Sequence, residues 1–304
     1  MTWFRSERRR RGDGSDGFVI VAVLWILGAL ATLAAIYALY VTNSVAAFRI
    51  PDDRLAAESL ISAGIEVAAY QITATNPRPA HGSVGFRLGR NSVSVQYESE
   101  LARIDVNKAP GELLAGLFTS FGVQQDAATR YMERIVSWRT AAVPGESDAE
   151  QAYYRMSGST YGPRGGPFPH IMELGLVLGL PPSLIHRAEP FLTVYSGSAQ
   201  INVLDAPPQV LAALPGMTPI RLHDLLARRS SGPQNGQTLM TMLGPAARYA
   251  TTDGGQTRRL KIRVGLDGGR RSVGAEVVIV LLDQDTEPYR VLSWRSNIDG
   301  LPID

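Results

Sequence analysis

The chain has 304 residues, enough for one large domain or two ordinary ones, and with 45% hydrophobic against 19% charged residues most of it is expected to fold. A formal net charge of only +2 argues against a broad nucleic-acid surface. With no cysteine, disulfide frameworks, thiolate zinc sites and thiol nucleophiles are excluded, and His81, His170, His186 and His223 are scattered without a metal-ligand spacing.

Residues 18–41 read FVIVAVLWILGALATLAAIYALYV, without a charge. As a helix rising 1.5 Å per residue this run is about 36 Å long, enough to cross a bilayer. It is too long for the apolar core of a secretory signal, which runs about 7–15 residues. Arg5, Arg8, Arg9, Arg10 and Arg11 precede it, against Glu7, Asp13 and Asp16, and the next basic residue is Arg49. That asymmetry holds the leader in the cytoplasm and places everything beyond Val41 on the far side, in the periplasm of a Gram-negative cell. Residues 12–17 (GDGSDG) fit G-x-G-x-x-G, but they follow an arginine run instead of a strand, so a dinucleotide site is rejected.

Helical spacing continues to about Thr75, with a kink or interruption expected at Pro51 and a stop at Asn76-Pro77-Arg78-Pro79. Half-buried strands are expected where Val93, Val95 and Tyr97 alternate with polar residues, and again at Ile104 and Val106. An internal repeat then appears. Residues 104–117 (IDVNKAPGELLAGL) match residues 201–214 (INVLDAPPQVLAAL) at Ile104/Ile201, Val106/Val203, Ala109-Pro110/Ala206-Pro207, Leu114-Ala115/Leu211-Ala212 and Leu117/Leu214. Each copy reads as a short strand, Ala-Pro, then an apolar helix, with proline in the first turn where its missing N–H costs nothing. Between the copies, residues 127–139 form an amphipathic helix, residues 158–169 a loop, and residues 171–178 and 182–188 two short helices. After about residue 248 the pattern returns to strands: Leu260, Ile262 and Val264, a turn at Asp267-Gly268-Gly269, residues 275–282, and residues 289–294.

The expected fold class is α+β: a long N-terminal transmembrane helix, a small antiparallel sheet and a large α-helical insertion. The expected divisions are a leader (1–17), a transmembrane and stalk helix (18–75), the first β part (76–106), a helical insertion with the first repeat (107–200), the second repeat (201–247) and the C-terminal β part (248–304).

A basic leader ending in Gly17, then Phe18 and an apolar helix, resembles the signal of pilins and pseudopilins. The repeated Ala-Pro motif and the series Trp138-Arg139, Tyr153-Tyr154, Gly166-Pro167-Phe168 narrow the resemblance to the K-type minor pseudopilins of type II secretion. It implies that prepilin peptidase cuts between Gly17 and Phe18, that Phe18 is then methylated, and that the helix is kept. Glycine suits such a site because a peptidase can approach its backbone closely. Most pilins carry Glu as the fifth mature residue, but here that residue is Ala22, and its loss is a feature of the K type, which caps the filament tip. The resemblance further implies a non-enzymatic role in assembly and export, with the I-type and J-type minor pseudopilins and the major pseudopilin as partners.

No G-x-S-x-G elbow, H-E-x-x-H or P-loop is present. Leu214-Pro215-Gly216-Met217, followed by Arg221, His223, Arg228 and Arg229, resembles a helix-hairpin-helix, so a membrane-anchored DNA-binding protein is the alternative reading. The insertion domain of the family holds calcium in acidic loops. The corresponding loop here carries Glu146, Asp148 and Glu150, alternating carboxylates able to reach one hard cation, though it is less acidic than the family's.

Overall fold

The structure, a computed structural model, describes residues 16–143, 149–230, 236–283 and 287–297. It opens with α1 (Asp16–Ala74), whose helical backbone continues across Pro51, so the interruption, one of the two outcomes expected there, does not occur. A proline removes one N–H···O=C bond, and the turns on either side can keep theirs. The chain divides into two units: the N-terminal segment through Ala56, and a compact body beginning at Ala57. In the first unit, Phe18–Tyr40 is long and apolar enough to cross a membrane, and none of it is buried.

The second unit begins with the last turns of α1, which pack on a sheet. Strands β1 (His81–Leu88) and β2 (Asn91–Ser99) form a hairpin. An inserted body follows. It contains β3 (Ile104–Asp105), α2 (Gly111–Ser120), α3 (Gln125–Arg139), α4 (Ala149–Met156), α5 (Pro182–Ala188) and β4 (Leu192–Thr193). It continues with β5 (Ile201–Asn202), α6 (Pro208–Ala212), α7 (Pro219–Ser230), α8 (Gly236–Leu243) and β6 (Ala250–Thr251). The chain then returns to the sheet as β7 (Thr257–Leu266), β8 (Arg271–Leu281) and β9 (Tyr289–Ser296). The sheet order is β1-β2-β7-β8-β9, antiparallel throughout, so the whole inserted body hangs on the connection between two adjacent strands.

Ile61, Ile65, Ala68 and Ile72 of α1 bury against Val93, Val95, Leu260, Ile262, Val264, Val277 and Ile279. Each such aliphatic side chain gives about 1.5–3 kcal/mol on full burial. The alternation that fills this face leaves Ser94, Gln96, Lys261 and Arg263 exposed on the other. Strand β1 escaped the sequence reading because Gly82, Ser83 and Gly85 depress strand propensity, and its pairing with β2 supplies what its sequence lacks. The segment around Ile104 differs from expectation. Ile104, Asp105 and Val106 are all buried, and β3 pairs in parallel with β4 inside the inserted body instead of joining the large sheet.

One charged network joins sheet and body. The Glu100 carboxylate is fully buried and receives the Arg259 guanidinium of β7 at 2.6 and 3.1 Å and the Thr193 hydroxyl of β4. Arg259 also donates to Glu276 at 2.6 Å, and Arg295 reaches the same carboxylate at 2.6 Å. Burial alone would raise the Glu276 pKa, but the guanidiniums of Arg259 and Arg295 outweigh it and hold the carboxyl below its ordinary value. Glu98 is held low in the same way, with Arg103 and Lys261 outweighing burial.

Breaking a buried ion pair costs about 3–5 kcal/mol, because the remaining charge stays buried. Glu100→Ala is therefore expected to lower unfolding free energy by that amount in urea titrations. Since Glu98 and Glu276 are depressed, their contribution is present above the ordinary carboxylate value of 4.5 and is lost as pH falls through their lower folded values. Thermal melts from pH 6 down to about pH 3 should show that loss in the wild type, and a flat profile would count against the network.

Candidate functional site

The two sequence repeats become two copies of one geometric module. In the first, the Val106 N–H donates to the Thr193 carbonyl at 2.9 Å, and the Ala109 N–H closes a turn on the Asp105 carbonyl at 2.7 Å. In the second, Val203 donates to Thr251 at 3.0 Å and Ala206 to Asn202 at 2.9 Å. The side-chain oxygens of Asp105 and Asn202 each accept the N–H two residues on, both at 2.8 Å. Each copy then runs into a helical hairpin, α2–α3 or α6–α7, turning through Gly122 (φ 85) or Gly216 (φ 74), a backbone conformation that side chains disfavour.

An arginine near the end of each hairpin closes the module. Arg139 donates to the carbonyls of Val106 and, at 2.7 Å, Ala109. Arg229 donates to those of Val203 at 3.3 Å and Ala206 at 2.6 Å. Burial pushes both guanidiniums below their usual pKa, partly offset by Asp105 and Asp205 respectively. This equivalence is invisible in the aligned repeat, because the arginines follow their alanines by 30 and 23 residues. The copies pack closely: a methyl group on Gly116 of α2 would lie 2.1 Å from the Ala213 carbonyl oxygen.

The residues that carried the family resemblance meet inside the first copy. Trp138 stacks on Phe168 at 6.2 Å and tilts against Tyr154 at 5.9 Å. Asn107 bonds Phe168 in both directions, receiving its N–H at 2.7 Å and donating to its carbonyl at 2.9 Å. The Trp138 indole N–H donates to Glu173 at 2.9 Å, and Arg164 grips the same carboxylate at 2.5 and 2.9 Å. The Tyr154 hydroxyl receives the Leu178 N–H at 2.9 Å, and burial pushes its pKa up to about 12. These contacts give the cluster a packing role.

Among the expected site residues, Gly17 lies in the first turn of α1 and Phe18 follows it, 78% exposed. Glu146 and Asp148 lie outside the described residues. Glu150 opens α4 and pairs with Arg134 at 3.3 Å, and no group of three possible metal ligands occurs among the described residues. The second hairpin exists as the sequence suggests, but its basic helix is partly committed inward. Arg229 serves the module, and Arg221 donates to the Gly216 carbonyl at 3.3 Å. Both uses favour a packing role over phosphate contact.

The fold is a helix laid on an antiparallel sheet, with a two-module body inserted between adjacent strands. Residues 91–197 match the family model of type II secretion system (T2SS), protein K. No curated protein matches. Among solved structures, the fold is similar to a chain in the crystal structure of the GspK-GspI-GspJ complex from the enterotoxigenic Escherichia coli type 2 secretion system. The likeness has 15% identity and a TM-score of 0.58, covering 79% of this chain and 94% of that one. Residues 91–197 are thus similar to the protein K family of type II secretion, and most of the chain shares the fold of that solved chain.

Arg139→Ala and Arg229→Ala should each destabilise the second unit by about 2–3 kcal/mol, the scale of a lost charged hydrogen bond with carbonyls left unpaired. Arg221→Ala, at an exposed position, should stay within about 0.5 kcal/mol. Equal effects of Arg221→Ala and Arg229→Ala in urea titrations would reject the module-closing role.

Proposed function

We propose that this chain caps the tip of a type II secretion pseudopilus, as a non-enzymatic subunit that helps initiate assembly and export across the outer membrane. The inserted body carries this reading. Its helices and paired modules sit between β2 and β7, strands that are neighbours in the sheet. A subunit this bulky cannot repeat inside a tightly packed filament, but it fits at an end where one side has no neighbour. Ala22 supports the same placement. A carboxylate at that position in an apolar setting needs a partner, and a terminal subunit has no next subunit to supply one.

In this reading prepilin peptidase cuts between Gly17 and Phe18, and the apolar helix stays as the inner-membrane anchor with the second unit in the periplasm. The similar solved structure is a complex of K, I and J proteins, which supports I-type and J-type minor pseudopilins as partners here, with the major pseudopilin beneath them. For calcium, the stretch holding Glu146, Asp148 and Glu150 is the place to test, and binding through Glu150 would have to displace Arg134. A melting temperature unchanged by millimolar calcium would remove that cation from the proposal, because a ligand of the native state must stabilise it.

Mass spectrometry of the chain from its host's membranes is expected to find an N-terminus at Phe18, about 14 Da heavier through methylation. An intact arginine leader, or cleavage beyond the apolar run, would sink the proposal.

A further inference from the structure

The outer face of the sheet is electrically lopsided. Near the inserted body its charges are neutralised: Glu98 pairs with Arg103 and with Lys261 at 3.6 Å, and Glu276 pairs with Arg259 and Arg295. At the opposite end the β1–β2 and β7–β8 hairpin tips lie side by side. The Gly268 N–H donates to the Arg90 carbonyl at 3.0 Å, and the Asp267 N–H to the Asn91 side chain at 3.2 Å.

The two tips gather Arg87, Arg90, Arg263, Arg270 and Arg271, with Asp267 as the one carboxylate among their described residues. Asp267 pairs with Arg271 at 2.6 Å, and that hydrogen bond, followed by the charges of Arg90 and Arg270, holds its carboxyl below the ordinary value. Arg87, Arg90, Arg263 and Arg270 are exposed and make no ion pair with a described residue. Like charges gathered this way repel one another, so the patch raises the energy of the isolated subunit unless an anionic surface covers it.

Shape and position add to charge. Arg87 and Arg263 project from rows filled otherwise by Ser92, Gly265 and Ser272, and by Gly85, Ser94 and Gly274, which leaves a flat floor of small residues beside the guanidiniums. Gly64 of α1 lies against Val93 and Val95, while Glu66, further along the helix, receives the Tyr289 hydroxyl beside the far end of β8. The tips therefore occupy the end of the second unit where α1 enters. For a subunit at a filament tip, that is the end facing the next subunit.

We infer that the arginine cluster of the two hairpin tips is a docking surface for a carboxylate-rich face of the neighbouring minor pseudopilin. Planar guanidiniums over a flat floor suit bidentate pairing with protein carboxylates. The inference rests on the tip-subunit reading above and names the chemistry of the contact.

The test uses the full-length chain in detergent, with the I-type and J-type subunits retained on it at low salt. The outward-facing double variant Arg87→Glu/Arg263→Glu is expected to lower retention about tenfold or more, and Arg87→Lys/Arg263→Lys to keep most of it. Wild-type retention should also fall as salt rises. Unchanged retention by the glutamate variant overturns this inference alone. Failure of the wild type to retain either partner overturns the tip-subunit reading and this inference with it. Anionic lipid is the competing occupant. The chain lacks cysteine, so Ser94→Cys carries a single polarity-sensitive dye beside the cluster. In proteoliposomes the dye should respond to added partner in neutral lipid. A response to phosphatidylglycerol without partner would assign the surface to the membrane and overturn the inference.

Discussion

The buried pairing of Glu100 with Arg259 is the constraint on which the second unit depends. Glu100 follows β2 directly, where the chain leaves the sheet for the inserted body, and Arg259 lies on β7, where it has returned. A carboxylate with no solvent exposure is tolerable only when paired and hydrogen-bonded. Arg259, Arg103 and Thr193 satisfy it from three separate stretches of chain, so the sheet, the exit of the insertion and strand β4 must all be in place together. That makes the junction a specific fit instead of a flexible tether, and it fixes the direction in which the body projects.

Within the body, duplication solves a problem of size. One hairpin of two helices buries little by itself, whereas two copies share a continuous core running from Ile104 through Leu114 and Leu117 to Val203, Leu211 and Leu214. The close approach of Gly116 to Ala213 lets the copies meet backbone to backbone. Each arginine closure then ties the far end of its hairpin to the strand that starts it. A body built this way is bulky and held together by one core that both copies share.

Much of this was legible before any tertiary contact was seen. The apolar run from Phe18 was legible by its length and lack of charge, and the alternations at Val93–Tyr97 and Leu260–Val264 because burial on one face imposes a period that survives in the sequence. Strand β1 was missed because its pairing, not its composition, makes it a strand. The Ile104 segment was misplaced because a fully buried bridge of two residues shows no alternation. Pro51 does not interrupt α1, since one lost backbone bond does not end a long helix.

The sequence by itself determined the apolar segment after Gly17, the class of fold, the repeated strand–Ala-Pro–helix motif and the residues that mark the family. Those features are local, set by hydrophobic period, chain direction and turn chemistry within about a dozen residues. Only the tertiary structure decided that Arg139 and Arg229 are equivalent, that Asn107, Trp138, Tyr154 and Phe168 share one cluster, and that five arginines from two hairpins converge on one end of the sheet. Those groupings join residues tens to nearly two hundred positions apart, and loops of different length erase the spacing by which sequence alone could have found them.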